Sequence, residues 1–258
     1  MNDKMTRLWA TKTRDDEWWS SFVTAPIAVL FNYLAVDIRW LTPNLVTLVS
    51  FVTALIAAAL IGIGGTVNFI LAAALIHLSH VFDCMDGQMA RYRQTTSASG
   101  SFFDRATDQL QVSLWFGAAG YAAYEQSGEV LPIFLAFIGV AFYSQRGYTK
   151  YVEIHIEMSR NSRYLEQDAG PLSLDTQPAT AVRGFDLFGA LKWFVREQHK
   201  ILEFNEGVFI FMLSLALVVD QLAPMLWVFA VSQTVLGISR TWQRGRNIEL
   251  GQNERVAK

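Results

Sequence analysis

The fold this sequence predicts is all-α: an integral membrane six-helix bundle preceded by an N-terminal interfacial amphipathic helix. Three observations predict it. Of 258 residues, 52% are hydrophobic and only 17% charged. With a mean hydropathy of +0.24, the chain is too apolar for an ordinary soluble domain. Six apolar stretches recur along it, at 45–63, 67–82, 102–124, 130–149, 207–222 and 223–242. Finally, three short links, Gly62–Thr66, Glu125–Glu129 and Asp220–Ala223, contain no Lys or Arg, although the chain has 21 such residues. The other connections hold them, so the positive-inside rule makes that opposite side cytoplasmic.

The elements follow in order. Residues 1–44 form a cytoplasmic arm and the interfacial helix. The stretch 18–40 is rich in Trp, Phe, Leu and Val but is interrupted by Pro26, Asn32, Asp37 and Arg39. It reads as a helix lying in the membrane plane rather than a span, with Trp18, Trp19 and Trp40 at headgroup level. Residues 45–242 form the six-span domain. A span needs roughly 20 residues to cross about 30 Å of hydrocarbon, so the second helix is expected to continue past the apolar run to Arg91. Gly62-Ile63-Gly64-Gly65 and the region of Gly128 read as tight turns. A long cytoplasmic loop at about 153–206 starts irregular, and the residues from Phe185 to Leu202 suit an amphipathic surface helix. Residues 243–258 read as a cytoplasmic tail. A net charge of −2 gives no basic field for nucleic acid. The single cysteine, Cys84, excludes an intrachain disulfide and reads as packing.

The chemistry concentrates in one stretch. Asp83-Cys84-Met85-Asp86-Gly87-Gln88-Met89-Ala90-Arg91 is followed, after eight residues, by Gly100-Ser101-Phe102-Phe103-Asp104-Arg105-Ala106-Thr107-Asp108. Acids at the edge of membrane helices are costly and call for a partner. On a helix, Asp83, Asp86, Gly87 and Ala90 share one face; on the next, Gly100, Asp104, Asp108 and Gln111 form a stripe. The polar turn from Gln94 to Ser99 folds the two faces together, so four carboxylates converge. Unpaired they would repel. Hard oxygen-binding dications, Mg²⁺ or Mn²⁺, remove the conflict and also hold substrate phosphates. Two ions roughly 3.5–4 Å apart would clamp the attacking and leaving oxygens of a phosphoryl displacement. Gly87, Ala90 and Gly100 leave room for a nucleotide or diphosphate, or for close helix packing. Arg91 supplies a planar fork for phosphate.

These residues resemble the CDP-alcohol phosphotransferases, whose signature D-x₂-D-G-x₂-A-R-x₈-G-x₃-D-x₃-D is filled at every fixed position from Asp83 to Asp108. Thr42-Pro43-Asn44-Leu45-Val46-Thr47 is similar to the segment that opens the first span in many members. The resemblance implies transfer of a phosphatidyl-type group from a CDP-alcohol, chiefly CDP-diacylglycerol, to the hydroxyl of a small polyol or polyol phosphate, with release of CMP. It implies that Asp83, Asp86 and Asp104 ligate metal, and that Asp108 is the general base with a contact to the second ion. Gly87, Ala90, Arg91 and Gly100 would line the CDP site, with Asn44 and Thr47 as further nucleotide contacts. It also implies a homodimer among membrane lipids, its site facing the cytoplasm, in the inner membrane if the cell is bacterial. Members acting on inositol phosphate carry basic residues in an acceptor pocket. Here Arg146 and Lys150 are the first candidates, with Arg160, Arg163 and Arg240 behind them, and headgroup anchoring is the competing role. Arg93 reads as a headgroup anchor. His80, one turn before Asp83 on the same face, reads as a packed or hydrogen-bonded histidine, with reach to the metal region as the alternative. Glu203 and Glu206 read as capping or solvating the start of the fifth span. The competing class is a membrane cation transporter using the acids as an ion site, but transporter sites favour the bilayer midplane and broken helices.

Overall fold

The computed structural model describes residues 3–12, 17–161, 194 and 198–256, and the regular structure within them is helical. Helix α1 is Asp3–Trp9 and α2 is Ala25–Ala35, entered through a wider i→i+5 turn at Ser20–Thr24. Then come α3 (Pro43–Ile63), α4 (Thr66–Tyr92), α5 (Ala98–Ser127) and α6 (Leu131–Arg160). After a 3₁₀ turn at Gln198–Glu203, α7 is Glu206–Val218 and α8 is Leu222–Val256. Arg163, Asp15, Asp16 and most of the surface helix expected over 185–202 lie outside the described residues.

Local signals set the helix boundaries. Thr42 caps α3 by accepting from the Leu45 amide, and Pro43 fills the first turn, where no donor is needed. Ser97 caps α5 through the Gly100 amide. The turns expected at the glycines are present: Gly64, Gly65 and Gly128 have φ of 78°, 88° and 70°, a region open chiefly to glycine. Helix α4 continues without a break through Asp83 and Asp86 to Tyr92. Beyond residue 242, α8 continues as helix.

Among the described residues, three helices are long and apolar enough to cross a membrane by length and composition: Pro43–Ile63, Thr66–Tyr92 and Leu222–Leu250. The sequence led us to expect six. Helix α7 has 13 residues, about 20 Å of rise, short of the hydrocarbon thickness. Helix α5 is 30 residues long but carries Asp104, Arg105 and Asp108 in its first half.

The helices pack as a bundle. Its main apolar core gathers residues of α3 to α8, including Ile61, Ile76, Trp115, Phe116, Leu213 and Phe229. A second core joins α1 and α2 to the lower half of α4 through Leu8, Val29, Met85 and Met89. Small residues allow close contact, as membrane interfaces favour. A Cβ added at Gly120 would lie 2.7 Å from Ala136 Cβ. Phe116 and Phe229 stack at 3.7 Å. Several polar groups inside the bundle pair across helices: Trp115 Nε1 donates to Ala54 O at 3.0 Å, and Ser50, Ser79 and Gln111 form a chain joining α3, α4 and α5. Leu48, Val49, Val52, Leu55 and Ile56 on α3 face outward, the pattern of a helix whose outer solvent is lipid.

Arg93 differs from its expected role as an anchor. Its guanidinium donates to the carbonyls of Val36, Ile38 and Leu41 and clamps the link between α2 and α3. That link contains no hydrogen-bonded helix, so its carbonyls need outside donors. Asn32 of α2 donates to Met85 O and Gln88 Oε1, and Gln88 donates back to Ala25 O. These bonds fix the N-terminal segment against the stretch of α4 that carries the acids.

Candidate active site

Helices α4 and α5 run antiparallel out of the Gln94–Ser97 turn, where Gln94 has φ of 57°. The turn turns the two acidic faces toward each other. One carboxylate oxygen from each of Asp83, Asp104 and Asp108 lies within 4.8 Å of the other two. Asp86 stands outside that trio. It is 6% exposed and accepts a hydrogen bond from Thr47 Oγ1 of α3. The expected set of four therefore divides into three crowded acids and one acid held by a hydroxyl.

The trio suits a cation. Asp83 Oδ1 and Asp108 Oδ1 are buried and accept no hydrogen bond among the described residues. Buried carboxylate oxygens without donors are costly, and packing three acids together adds repulsion. A divalent ion removes both costs, and carboxylates are hard-oxygen ligands.

The structure adds one residue that sequence reasoning assigned elsewhere. Glu206, expected to cap a helix, aims instead at the acids. One ligand atom each from His80, Asp83 and Glu206 lies within 4.8 Å of the others, and His80 Nδ1 is 3.4 Å from Glu206 Oε1. Asn205 occupies the N-cap position of α7, which frees the Glu206 side chain. His80 is hydrogen-bonded as expected, to Ser20 Oγ at 2.7 Å. His80 lies one turn before Asp83 on the same face of α4, the placement from which reach to the acids was the alternative expectation. No short spacing connects Glu206 to the motif.

The remaining motif residues surround the acids. Arg91 lies over Gly87, with Nη1 3.1 Å from where a Cβ would stand, and its Nε donates to Thr11 O at 2.7 Å. A Cβ at Gly100 would lie 3.0 Å from Ser97 Oγ and 3.5 Å from Asn44 Oδ1. Asn44, Gly100 and the Thr47–Asp86 pair thus bring the start of α3 against α5 and α4. Ala90 is half-buried on the acidic face of α4.

Next to the acids opens a cavity of about 530 Å³. Gln109, which follows Asp108, and Asn205, which precedes Glu206, line it together with Tyr143, Arg146, Lys150, Glu153, Arg240 and Arg244. Arg146 donates to Glu203 O at 2.6 Å and Gln233 Oε1 at 2.5 Å. Arg244 donates to Arg146 O and Thr149 Oγ1 and pairs with Glu153 at 3.3 Å. Arg240 lies 3.4 Å from Glu203. Arg160 pairs instead with Glu157 and does not line the cavity. The result is a cationic cavity whose arginines are held in place by carbonyls and acids.

Comparison with known proteins matches residues 40–152 to the CDP-alcohol phosphatidyltransferase family model. An uncharacterized protein of Aquifex aeolicus (strain VF5) is 35% identical over 103 residues, 38% of this chain and 49% of that protein. The match thus spans about half the length of that curated relative. Among solved structures, the crystal structure of Mycobacterium tuberculosis phosphatidylinositol phosphate synthase with CDP-DAG bound superimposes with a TM-score of 0.53. That match covers 88% of this chain and 93% of the other at 17% identity, a likeness of fold.

Proposed function

We propose that the chain is a CDP-alcohol phosphotransferase, in keeping with the family-model match over residues 40–152, and that it transfers a substituted phosphate group from a CDP-alcohol to an acceptor hydroxyl, releasing CMP. The observation that supports this most is the crowded trio of Asp83, Asp104 and Asp108, with two buried oxygens that no donor among the described residues reaches. Asp83, Asp86 and Asp104 would hold Mg²⁺ or Mn²⁺, two ions in all, with Asp108 also touching the second. Such ions, when bound, neutralise the diphosphate of the donor.

The chain's own residues do the rest. Asp108 accepts the proton of the acceptor hydroxyl at the carboxylate oxygen to which no described residue donates a hydrogen bond. Thr47 holds Asp86 in place. Gly87 and Gly100 keep the floor low for the nucleotide, with Asn44 at its edge and Arg91 above. The exposed apolar face of α3 suits CDP-diacylglycerol, whose acyl chains would remain in lipid while the diphosphate reaches the acids. The cavity that begins at Gln109 suits an anionic acceptor, a polyol phosphate, with Lys150 and the Arg146, Arg240 and Arg244 cluster countering its charge. In this reading all six long and short apolar helices, α3 to α8, are membrane-embedded, and the acids face the cytoplasm.

The test is CMP release by purified protein from CDP-diacylglycerol against a panel of polyols, polyol phosphates and amino alcohols. Turnover is expected only with anionic polyols, and Lys150→Ala should raise the acceptor KM with little change in donor affinity. Ion flux in vesicles without CMP release from any pair would instead favour the transporter.

A further inference from the structure

Residues 3–12 lie far from the acid motif in sequence, yet they are bound to it. Leu8 of α1 is fully buried and packs with Val29 of α2 and with Met85 and Met89 of α4. A seven-residue helix does not hold itself in isolation, so this burial is what docks α1. Polar contacts fasten it further. The Arg7 guanidinium lies over the Tyr92 ring at 4.6 Å, Lys4 Nζ donates to Tyr33 O at 2.6 Å and pairs with Asp37, and Lys12 Nζ donates to Ser21 O at 2.6 Å. Past the end of a helix the last carbonyls have no helical donor. Beyond the end of α1, Thr11 O accepts from Arg91 Nε at 2.7 Å, across 80 residues of chain.

We propose that residues 3–12 are a positioning element of the nucleotide site: through Thr11 O they hold the Arg91 guanidinium over Gly87, where the diphosphate of a CDP-alcohol would pass. The inference rests on the nucleotide site of the proposed function and adds the part of the chain that preorganises it. Arginine is long and flexible, and its planar fork is useful only in the right orientation. A bond from Nε fixes the plane of the whole guanidinium. Nη1 and Nη2 then stand 3.1 Å and 3.4 Å from where a Cβ of Gly87 would be, so the fork rests against the backbone of α4. A carbonyl suits this task because it takes the Nε proton without bringing a negative charge to cancel that of the arginine. With the arm docked, the ordering of Arg91 is completed on folding rather than on binding. The arm therefore acts on donor affinity and not on the metal or the acceptor.

The test is equilibrium binding of CDP to purified full-length protein in detergent with saturating Mn²⁺. Leu8→Asp puts a carboxylate into an apolar core and undocks the arm. It should weaken CDP binding about 2–10-fold, the cost of ordering one long side chain on binding. Leu8→Met keeps the volume and should bind CDP as the wild type does. Lys12→Ala loses the bond to Ser21 O without touching the core, and should shift CDP affinity in the same direction as Leu8→Asp. Mn²⁺ affinity without nucleotide, and the acceptor KM in CMP release, should stay at wild-type values in both. These readouts separate a misplaced Arg91 from a general loosening of α4. In an Arg91→Ala background, Leu8→Asp should cost no further CDP affinity, because the arm acts through Arg91. Wild-type CDP affinity in both Leu8→Asp and Lys12→Ala would overturn the proposal. So would full additivity with Arg91→Ala, or an equal loss of Mn²⁺ affinity. A wild-type protein that binds no CDP would overturn the nucleotide reading itself, and this proposal with it.

Discussion

Replacing Asp108 by asparagine separates chemistry from folding, because the same change should push the two in opposite directions. The variant keeps the shape of the side chain but cannot take a proton. A general base contributes about 10²–10⁴-fold in rate, so turnover should fall by that order, about 2.7–5.4 kcal/mol of transition-state stabilisation. Stability without metal should move the other way. Asp108 has oxygens within 4.8 Å of those of Asp83 and Asp104, and two unit charges at that distance repel by roughly 3.5 kcal/mol at an effective dielectric of about 20. An amide removes that charge and can donate a hydrogen bond to a neighbouring acid. The metal-free variant should therefore melt higher than metal-free wild type, and it should gain less on adding Mn²⁺. Two assays on one preparation suffice: CMP release at saturating donor, and thermal melting with EDTA or with Mn²⁺. Turnover within tenfold of wild type would refute the base. A lower melting point in EDTA would refute the crowding of the acids.

Thr47→Val removes the one side-chain donor seen on buried Asp86; a hydrogen bond to a charged group is worth about 1.5–3 kcal/mol, so equilibrium binding of the CDP donor should weaken roughly 10–100-fold, and unchanged affinity would refute the contact. Gly120→Ala places a methyl against Ala136 and Pro132 O; it should cost about 1–3 kcal/mol, read as earlier thermal unfolding in detergent, and an unchanged melting point would show that α5 and α6 do not pack this closely. Cysteines at exposed Ser97 and Ser127, in a protein with Cys84 replaced, sit at opposite ends of the 30-residue α5, about 45 Å apart. Ser97 should label from the cytoplasmic side and Ser127 from the other; labelling of both from one side would overturn the orientation.

What was legible in the sequence was whatever a short stretch of chain encodes. The acids of α4 and α5 fall within 26 residues on two consecutive helices, so helical periodicity alone brings Asp83, Asp104 and Asp108 together. The turns at Gly64 and Gly128 and the caps at Thr42 and Ser97 are equally local. Glu206 was not legible, because it reaches Asp83 across more than a hundred residues and its place at the start of α7 has the look of a cap. Ser20, the partner of His80, was hidden for the same reason, since the two lie 60 residues apart. Arg93 looked like an anchor because nothing nearby in sequence shows the open carbonyls of Val36, Ile38 and Leu41. Length and composition single out three of the six expected spans among the described residues, because α5 trades apolar residues for a charged face and α7 is short.

The central claim is that the acid cluster performs metal-dependent transfer from a CDP-alcohol. CMP release by purified protein should be measured with CDP-diacylglycerol and a polyol phosphate, after exhaustive chelation and again after Mg²⁺ or Mn²⁺ is restored. The account predicts loss of activity on chelation, recovery on metal addition, and no recovery in Asp83→Asn. Full CMP release after chelation, or an active Asp83→Asn, would contradict it.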